Sequence, residues 1–465
     1  MRITLILLLL SCLGPLATGA PRPNIVLFYA DDLGYTDLGC QGSDFYRTPN
    51  IDRIAAEGMT FTQAYAAAAN CAPSRASLLT GLYTPRHGVY TVGNSDRGKS
   101  AHRKFIPIEN KTVLTKELPT VAQTLQEAGY RTAVAGKWHV SSDPTEYGFD
   151  TNFGGLQWGS PKSYFSPYRN PKLKDGPKGE HLPARLANDV CKWITDLQTA
   201  PVEEDTDKAF FLYLPFYSVH TPIRARKDLI AKYNKIKAGT HHSHAKYAAM
   251  IDAMDLAVGQ VLDLLETLKL SDNTLVIFTS DNGPHGGVSN AKPLRGSKGM
   301  FYEGGIREPF LVRWPGHIKA GSHCETPIHQ VDLFPTFAAL AGVATPALHD
   351  GIDLAPLFAG KTVESRPLFW HFPAYLQGYG QDLGSPFKNF RTTPCGVIRD
   401  GNWKLIEYFE DGALELYNLK SDPQENTNLA RDQASMRDEL LHRLKKWRQD
   451  VKAPIPTQKN PGFKG

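Results

Sequence analysis

The 465-residue chain has only 6 cysteines, no dense run of lysine or arginine, and no apolar stretch beyond its first 20 residues that is long enough to cross a bilayer. Each absence excludes something. With so few thiols the fold is not a disulfide scaffold, so stability has to come from a hydrophobic core. Without a basic run or a recognition motif, nucleic acid is not an expected partner. Lacking a long apolar run, the chain carries no expected transmembrane segment. Charge of one sign is also scarce: the formal net charge is +5, which spread over a chain of this size steers an acidic substrate only weakly. What remains is an ordinary globular composition, 41% hydrophobic and 21% charged. The length exceeds the roughly 250–300 residues at which single cores stop growing, and therefore predicts a large domain plus a smaller one.

Residues 1–20 read as a secretory signal, with Arg2, the apolar run Ile3 to Leu10 and then small residues, and they predict export to the periplasm or the medium. Leu9-Leu10-Ser11-Cys12 also loosely resembles a bacterial lipobox, so lipid anchoring at Cys12 is the alternative. Beyond the signal remain Cys40, Cys71, Cys191, Cys324 and Cys395, an odd number that leaves one thiol over for chemistry.

The run Asn24 to Ala30 is continuously apolar after its first residue and predicts a strand buried on both faces, as in a parallel sheet. It ends at Asp31-Asp32. Thr48-Pro49 then caps and opens a helix through Ile51, Ile54 and Ala55. The rhythm repeats with a helix near Thr120 to Ala128, a strand Tyr130 to Ala135 and then Gly136-Lys137-Trp138-His139. Next come a helix near Ala184 to Leu197, a strand Ala209 to Phe216 leading to His220, a helix near Ala245 to Leu268, and a strand Thr274 to Thr279 running into Asp281-Asn282. Such alternation predicts an α/β fold: a large, mostly parallel sheet sandwiched by helices. Ligands of such sheets sit beyond the carboxyl ends of the strands, where Asp31, Asp32, Lys137, His139, His220, Asp281 and Asn282 all fall.

Gly154 to Gly179 and the stretch around His241-His242-Ser243-His244 read as loops over the mouth of that site, the histidines also being a possible metal patch. Trp158, Tyr164, Arg224 and Arg226 in these loops suit a sugar. Past Pro367 the texture changes: Asp400-Gly401 and Asp411-Gly412 signal hairpins, and Met436 to Val451 reads as a terminal amphipathic helix. The expected division is a catalytic domain over 21–366 and, over 367–465, a C-terminal antiparallel-sheet subdomain with its helix.

The stretch the site is organised around is Cys71-Ala-Pro-Ser-Arg-Ala-Ser-Leu-Leu-Thr-Gly81. It places a thiol at the start of a helix that Gly81 ends, with Arg75 one turn further on. Helix N-termini favour anions, so this is a place built to meet one. The string resembles the signature of the type I sulfatases, Cys-x-Pro-Ser-Arg-x-x-x-Leu-Thr-Gly, arylsulfatase-like members of the alkaline-phosphatase superfamily. The resemblance implies that Cys71 is oxidised to formylglycine, by a formylglycine-generating or an anaerobic maturase enzyme, and that its hydrated aldehyde is the nucleophile. It further implies one Ca²⁺ held by Asp31, Asp32, Asp281, Asn282 and the oxidised Cys71. Hard oxygen donors of that kind suit Ca²⁺, with Mg²⁺ as the second choice, and do not suit zinc. By the same resemblance Lys137, His220 and Lys298 bind sulfate, Lys298 or His220 protonates the leaving alcohol, and Arg75 and His139 position the nucleophile. As consecutive alternate residues at a strand end, Lys137 and His139 are expected to point the same way. The implied activity is hydrolysis of a sulfate monoester on a small molecule or saccharide. Two alternatives stay open: a phosphonate or phosphate diester hydrolase of the same superfamily, and a sulfated-glycan binding protein in which Cys71 is never oxidised.

Overall fold

A computed structural model describes residues 22–200, 209–378 and 384–464. The signal over 1–20 and the lipid attachment at Cys12 lie outside the described residues. No helix among the described residues is long and apolar enough to cross a membrane.

The strand Asn24–Ala30 is wholly buried and is the centre of an eight-stranded sheet. It pairs in parallel with Phe210–Pro215 on one side and Thr274–Ser280 on the other. Both its edges and both its faces are therefore covered, so Ile25 to Ala30 are hydrophobic, and the one amide in the strand, Asn24 at its start, is satisfied by both neighbours, donating to Thr274 Oγ1 and accepting from Phe210 N–H at 3.2 Å each. Arg131–Ala135 and Thr151–Phe153 extend the parallel part outward from Phe210–Pro215. On the far side Phe310–Arg313 runs antiparallel to both Thr274–Ser280 and Met59–Phe61, and Ser322–Cys324 closes the edge. Alternation sorts the side chains. Val26, Phe28 and Ala30 face one helical layer, made by Pro49–Ala56, Leu182–Thr199 and Ala245–Thr267. Ile25, Leu27 and Tyr29 face the other, made by Cys71–Thr80, Val121–Glu127 and Leu333–Leu340.

The expected elements are all present, with ends that match or shift by one or two residues. Thr48 differs in its work. Its side chain makes no cap to Pro49–Ala56; it donates to Asp52 at 2.8 Å instead. The helix is capped from another element: Asp255, in the middle of Ala245–Thr267, accepts from the backbone N–H groups of Asn50 at 3.0 Å and Ile51 at 2.8 Å. The histidine stretch also has structural work. His242 stacks on Tyr46 and lies 3.3 Å from Asp37, while His244 caps Ala245–Thr267 by accepting from Tyr247 N–H at 3.1 Å.

The C-terminal sheet has four antiparallel strands in the order Leu368–Phe372, Cys395–Asp400, Trp403–Tyr408 and Leu414–Asn418. Helix Ala434–Asp450 covers one face, with Leu440, Leu444 and Trp447 on Ile398, Leu405 and Leu416. The opposite face, with Trp370, Val397 and Ile406, packs on Tyr65, Met300, Phe301 and Tyr302. Between the two units Lys404 is fully buried, 3.0 Å from Glu303 and 2.9 Å from Glu425. That contact fastens the small sheet to the turn following Lys298.

Candidate active site

Every site residue expected from the sequence converges beyond the carboxyl ends of the parallel strands. Asp31 and Asp32 follow Asn24–Ala30, Asp281 and Asn282 follow Thr274–Ser280, and Lys137 and His139 follow Arg131–Ala135. Cys71 opens helix Cys71–Thr80, whose end is the left-handed Gly81 at φ 67°. Lys298 reaches in from the segment below the small sheet and places its ammonium 3.1 Å from Cys71 Sγ and 2.6 Å from Asp32 Oδ1. Lys137 Nζ lies 2.6 Å from Asp31 Oδ2. Arg75 donates to Asp281 Oδ2 from two nitrogens, at 2.7 and 3.0 Å, and to the Lys137 carbonyl at 2.8 Å. One guanidinium thus ties the ends of two strands to the helix of Cys71.

The alternation argument for Lys137 and His139 does not hold. The strand stops at Ala135, Gly136 turns at φ 115° and His139 itself adopts φ 70°. The pair is brought together by a loop and not by strand pleat. Gly136 is required there, because a Cβ at that position would lie 2.1 Å from the Pro215 carbonyl oxygen. Lys137 is fully buried behind the site, whereas His139 reaches its wall.

Charge is arranged in alternating layers. Burial pushes the Cys71 thiol up, but the ammoniums of Lys137 and Lys298 outweigh it and bring it down to about 6. Burial raises Asp32 and the Lys298 and His220 cations more than offset that, holding its carboxyl below the usual range. Burial and the adjacent Asp31 carboxylate keep Asp281 above its usual range in spite of Arg75. His139 is held well below the ordinary imidazole value by burial and by Lys137, Arg75 and Lys298, so it is neutral. His220 goes the other way: burial and Lys298 disfavour its charge, but Asp31 and Asp32 prevail and raise it.

The oxygens fit a hard divalent cation. Single donor atoms of Asp31, Asp32, Cys71 and His220 lie within 4.8 Å of one another. Asp31 Oδ1 and Asn282 Oδ1 are buried with no hydrogen-bond partner, while Asn282 Nδ2 donates to Asp32 Oδ1 at 2.8 Å. Buried oxygens left without donors are what a Ca²⁺ ligand set requires. Asp281 is more engaged, since its Oδ1 accepts the Asp32 N–H at 3.1 Å and its Oδ2 is held by Arg75.

A cavity of about 350 Å³ opens over Cys71, with His139, His220 and Lys298 in its wall. Ser160, Thr221, His285, Arg97 and Arg391 complete the mouth. Trp158, Tyr164, Arg224 and Arg226 do not line it. Tyr164 is buried and donates to the carbonyls of Tyr217 at 2.7 Å and His220 at 3.0 Å, and Arg226 is paired with Asp228 at 2.6 Å. The sequence gives no signal for Arg97 or Arg391, which sit outside any motif; His285 was within reach, three residues past Asn282.

Comparisons with known proteins identify the family. Residues 23–343 match the family model described as Sulfatase, and residues 297–451 match one described as N-sulphoglucosamine sulphohydrolase, C-terminal. The chain belongs to the sulfatase family. It is 33% identical to a sulfatase of Formosa agariphila, over 92% of this chain and 88% of the relative. It is 37% identical to the N-acetylgalactosamine-6-sulfatase of Mus musculus, over 79% of this chain and 72% of the relative. The solved structure of Ps i-CgsB in complex with k-i-k-neocarrahexaose superposes with a TM-score of 0.76 at 28% identity, covering 96% of this chain and 95% of that one. The protein is therefore a sulfuric ester hydrolase, with the large mixed sheet and antiparallel C-terminal sheet of its fold relatives.

Proposed function

We propose that this sulfatase is exported, removes sulfate from a saccharide, and does so through Cys71 oxidised to formylglycine beside a bound Ca²⁺. The observation that carries the reading is Cys71 at a helix N-terminus, 3.1 Å from the Lys298 ammonium and against a buried set of carboxylates. The saccharide follows from the company it keeps: relatives named for N-acetylgalactosamine-6-sulfate hydrolysis and a neighbour solved with an oligosaccharide.

Asp31, Asp32, Asp281 and Asn282 are the residues that would hold the ion. Bound there, Ca²⁺ supplies positive charge to a sulfate oxygen and to the oxygen carried by residue 71. Lys298 and His220 stand on the cavity wall and meet the sulfate, and Lys137 supports them from behind through Asp31. His220 is the better placed proton donor to the departing alcohol, because it stands on the cavity wall while the Lys298 ammonium is bound to Asp32 at 2.6 Å. His139, neutral and with Nδ1 unpartnered, takes the proton whose removal releases sulfate. Arg75 acts by holding Asp281 and the Lys137 backbone in place.

Mass spectrometry of the Cys71 peptide, from active material made with a maturase, tests this. The peptide is expected to carry an aldehyde, and Cys71→Ala to release no sulfate. An unmodified thiol in fully active enzyme would overturn the mechanism, and faster turnover of a phosphodiester than of any sulfated sugar would overturn the substrate class.

A further inference from the structure

We infer that the pocket recognises a second anionic substituent on its sulfated substrate, a carboxylate or another sulfate, and that Arg97 is the residue that binds it. The inference rests on the proposed sulfated-saccharide reading of the same cavity.

The wall of the cavity carries no aspartate or glutamate among the described residues. Lys298 and His220 already answer the single charge of one sulfate ester. Arg97 is a further cation, half-buried at the mouth, and among the described residues it forms no ion pair. Its one hydrogen bond, from Nη1 to the Val92 carbonyl, is long at 3.4 Å. The acidic neighbour that would neutralise it is already committed: Asp96 Oδ2 lies 3.5 Å from Arg103 Nη2.

The loop carrying Arg97 is nevertheless held firmly. Arg103 donates to the carbonyls of both Asp96 and Gly98, clamping the backbone on either side of Arg97. Tyr375 N–H donates to the Ser95 carbonyl at 2.9 Å, fastening the same loop to the C-terminal part of the chain. A fixed backbone presenting an unpaired guanidinium to a cavity is a preorganised anion contact. The planar fork suits either a carboxylate or a sulfate in two-pronged fashion. The competing account is a solvated surface cation that attracts every anion alike, and the two predict different kinetics.

The experiment measures kcat/KM at one salt concentration for three sugars. These are a hexosamine bearing one sulfate, the same hexosamine bearing two, and a disaccharide joining the singly sulfated unit to a uronate. The wild type is expected to prefer one of the doubly anionic substrates about tenfold or more over the singly sulfated one. In Arg97→Ala that ratio should collapse toward one, mainly through KM, and Arg97→Lys should recover part of it. Whichever doubly anionic sugar loses its advantage identifies the second group. Inhibition by the desulfated uronate disaccharide, weakened in Arg97→Ala, gives a reading that does not depend on turnover. Equal losses on all three sugars, or no preference in the wild type, would overturn the inference and leave the sulfatase reading standing. Absence of sulfate release from all three by the wild type, with a phosphodiester cleaved, would overturn the saccharide-sulfatase reading and the inference together.

Discussion

Replacing Lys404 by methionine tests whether the small sheet holds the Lys298 segment through one buried charge. Lys404 is fully buried, 3.0 Å from Glu303 and 2.9 Å from Glu425, whose side chain also accepts the Glu303 N–H at 2.6 Å. Removing the ammonium leaves two buried carboxylates. Glu303 keeps Arg307 at 3.6 Å and the Tyr65 hydroxyl at 2.7 Å, so the charge left stranded is that of Glu425. Breaking a buried pair by deleting one partner costs about 3–5 kcal/mol, and the surviving contacts of Glu303 place this case near the lower figure. The cost should depend on pH. Burial, together with the Glu303 charge, already holds Glu425 above the ordinary carboxylate range, against the pull of Lys404. A carboxyl raised in the folded state contributes stability below its unfolded value and loses it as pH rises through the folded one. Without Lys404 the rise is larger, so the penalty should be greater at pH 8 than at pH 5. Urea unfolding followed by tryptophan fluorescence at both pH values gives the numbers, Trp370 and Trp403 lying in this sheet. Adding Glu425→Gln to the variant should recover most of the loss, since the stranded charge is gone. A cost below about 1 kcal/mol, or no recovery in the double variant, would refute the argument.

Other outcomes follow from the site. His220→Gln should lower kcat by roughly 10²–10⁴-fold on a sulfated sugar and distinctly less on an aryl sulfate, whose phenolate leaves without a proton; equal losses on both would take the acid role away from His220. Chelation should lower both activity and the unfolding temperature, and Ca²⁺ at about a hundred times its dissociation constant should return about 2.7 kcal/mol. An unfolding temperature indifferent to chelator would speak against a resident ion. Gly136→Ala should cost about 1–3 kcal/mol for backbone strain alone at φ 115°, with more from the contact 2.1 Å from the Pro215 carbonyl, and calorimetry together with the yield of soluble protein reads it.

Much of the molecule is written locally. After Asn24 every residue to Ala30 is hydrophobic, and that alone predicts a strand covered on both sides. The capping box of Thr120 and Gln123, seen in the structure, explains why a helix begins where the sequence places it. Positions such as Asp31 and Asp281 were legible because a parallel sheet collects the ends of its strands. Misreadings arose where the deciding contact is distant. Thr48 looked like a cap, yet Asp255, about two hundred residues away, does the capping. Tyr164 looked like a sugar platform, yet its hydroxyl is consumed by the carbonyls of Tyr217 and His220.

The sequence by itself determined the layered α/β architecture, the thiol at a helix start and the set of polar residues at strand ends, because periodicity and short motifs act over a few residues. Only the tertiary structure decided which of those groups are charged, which face the cavity and which lie behind it. Ionisation and exposure depend on neighbours that the chain brings together from far apart: Lys298 beside Cys71, Arg75 across to Asp281, and Arg97 kept without a carboxylate because Arg103 holds Asp96.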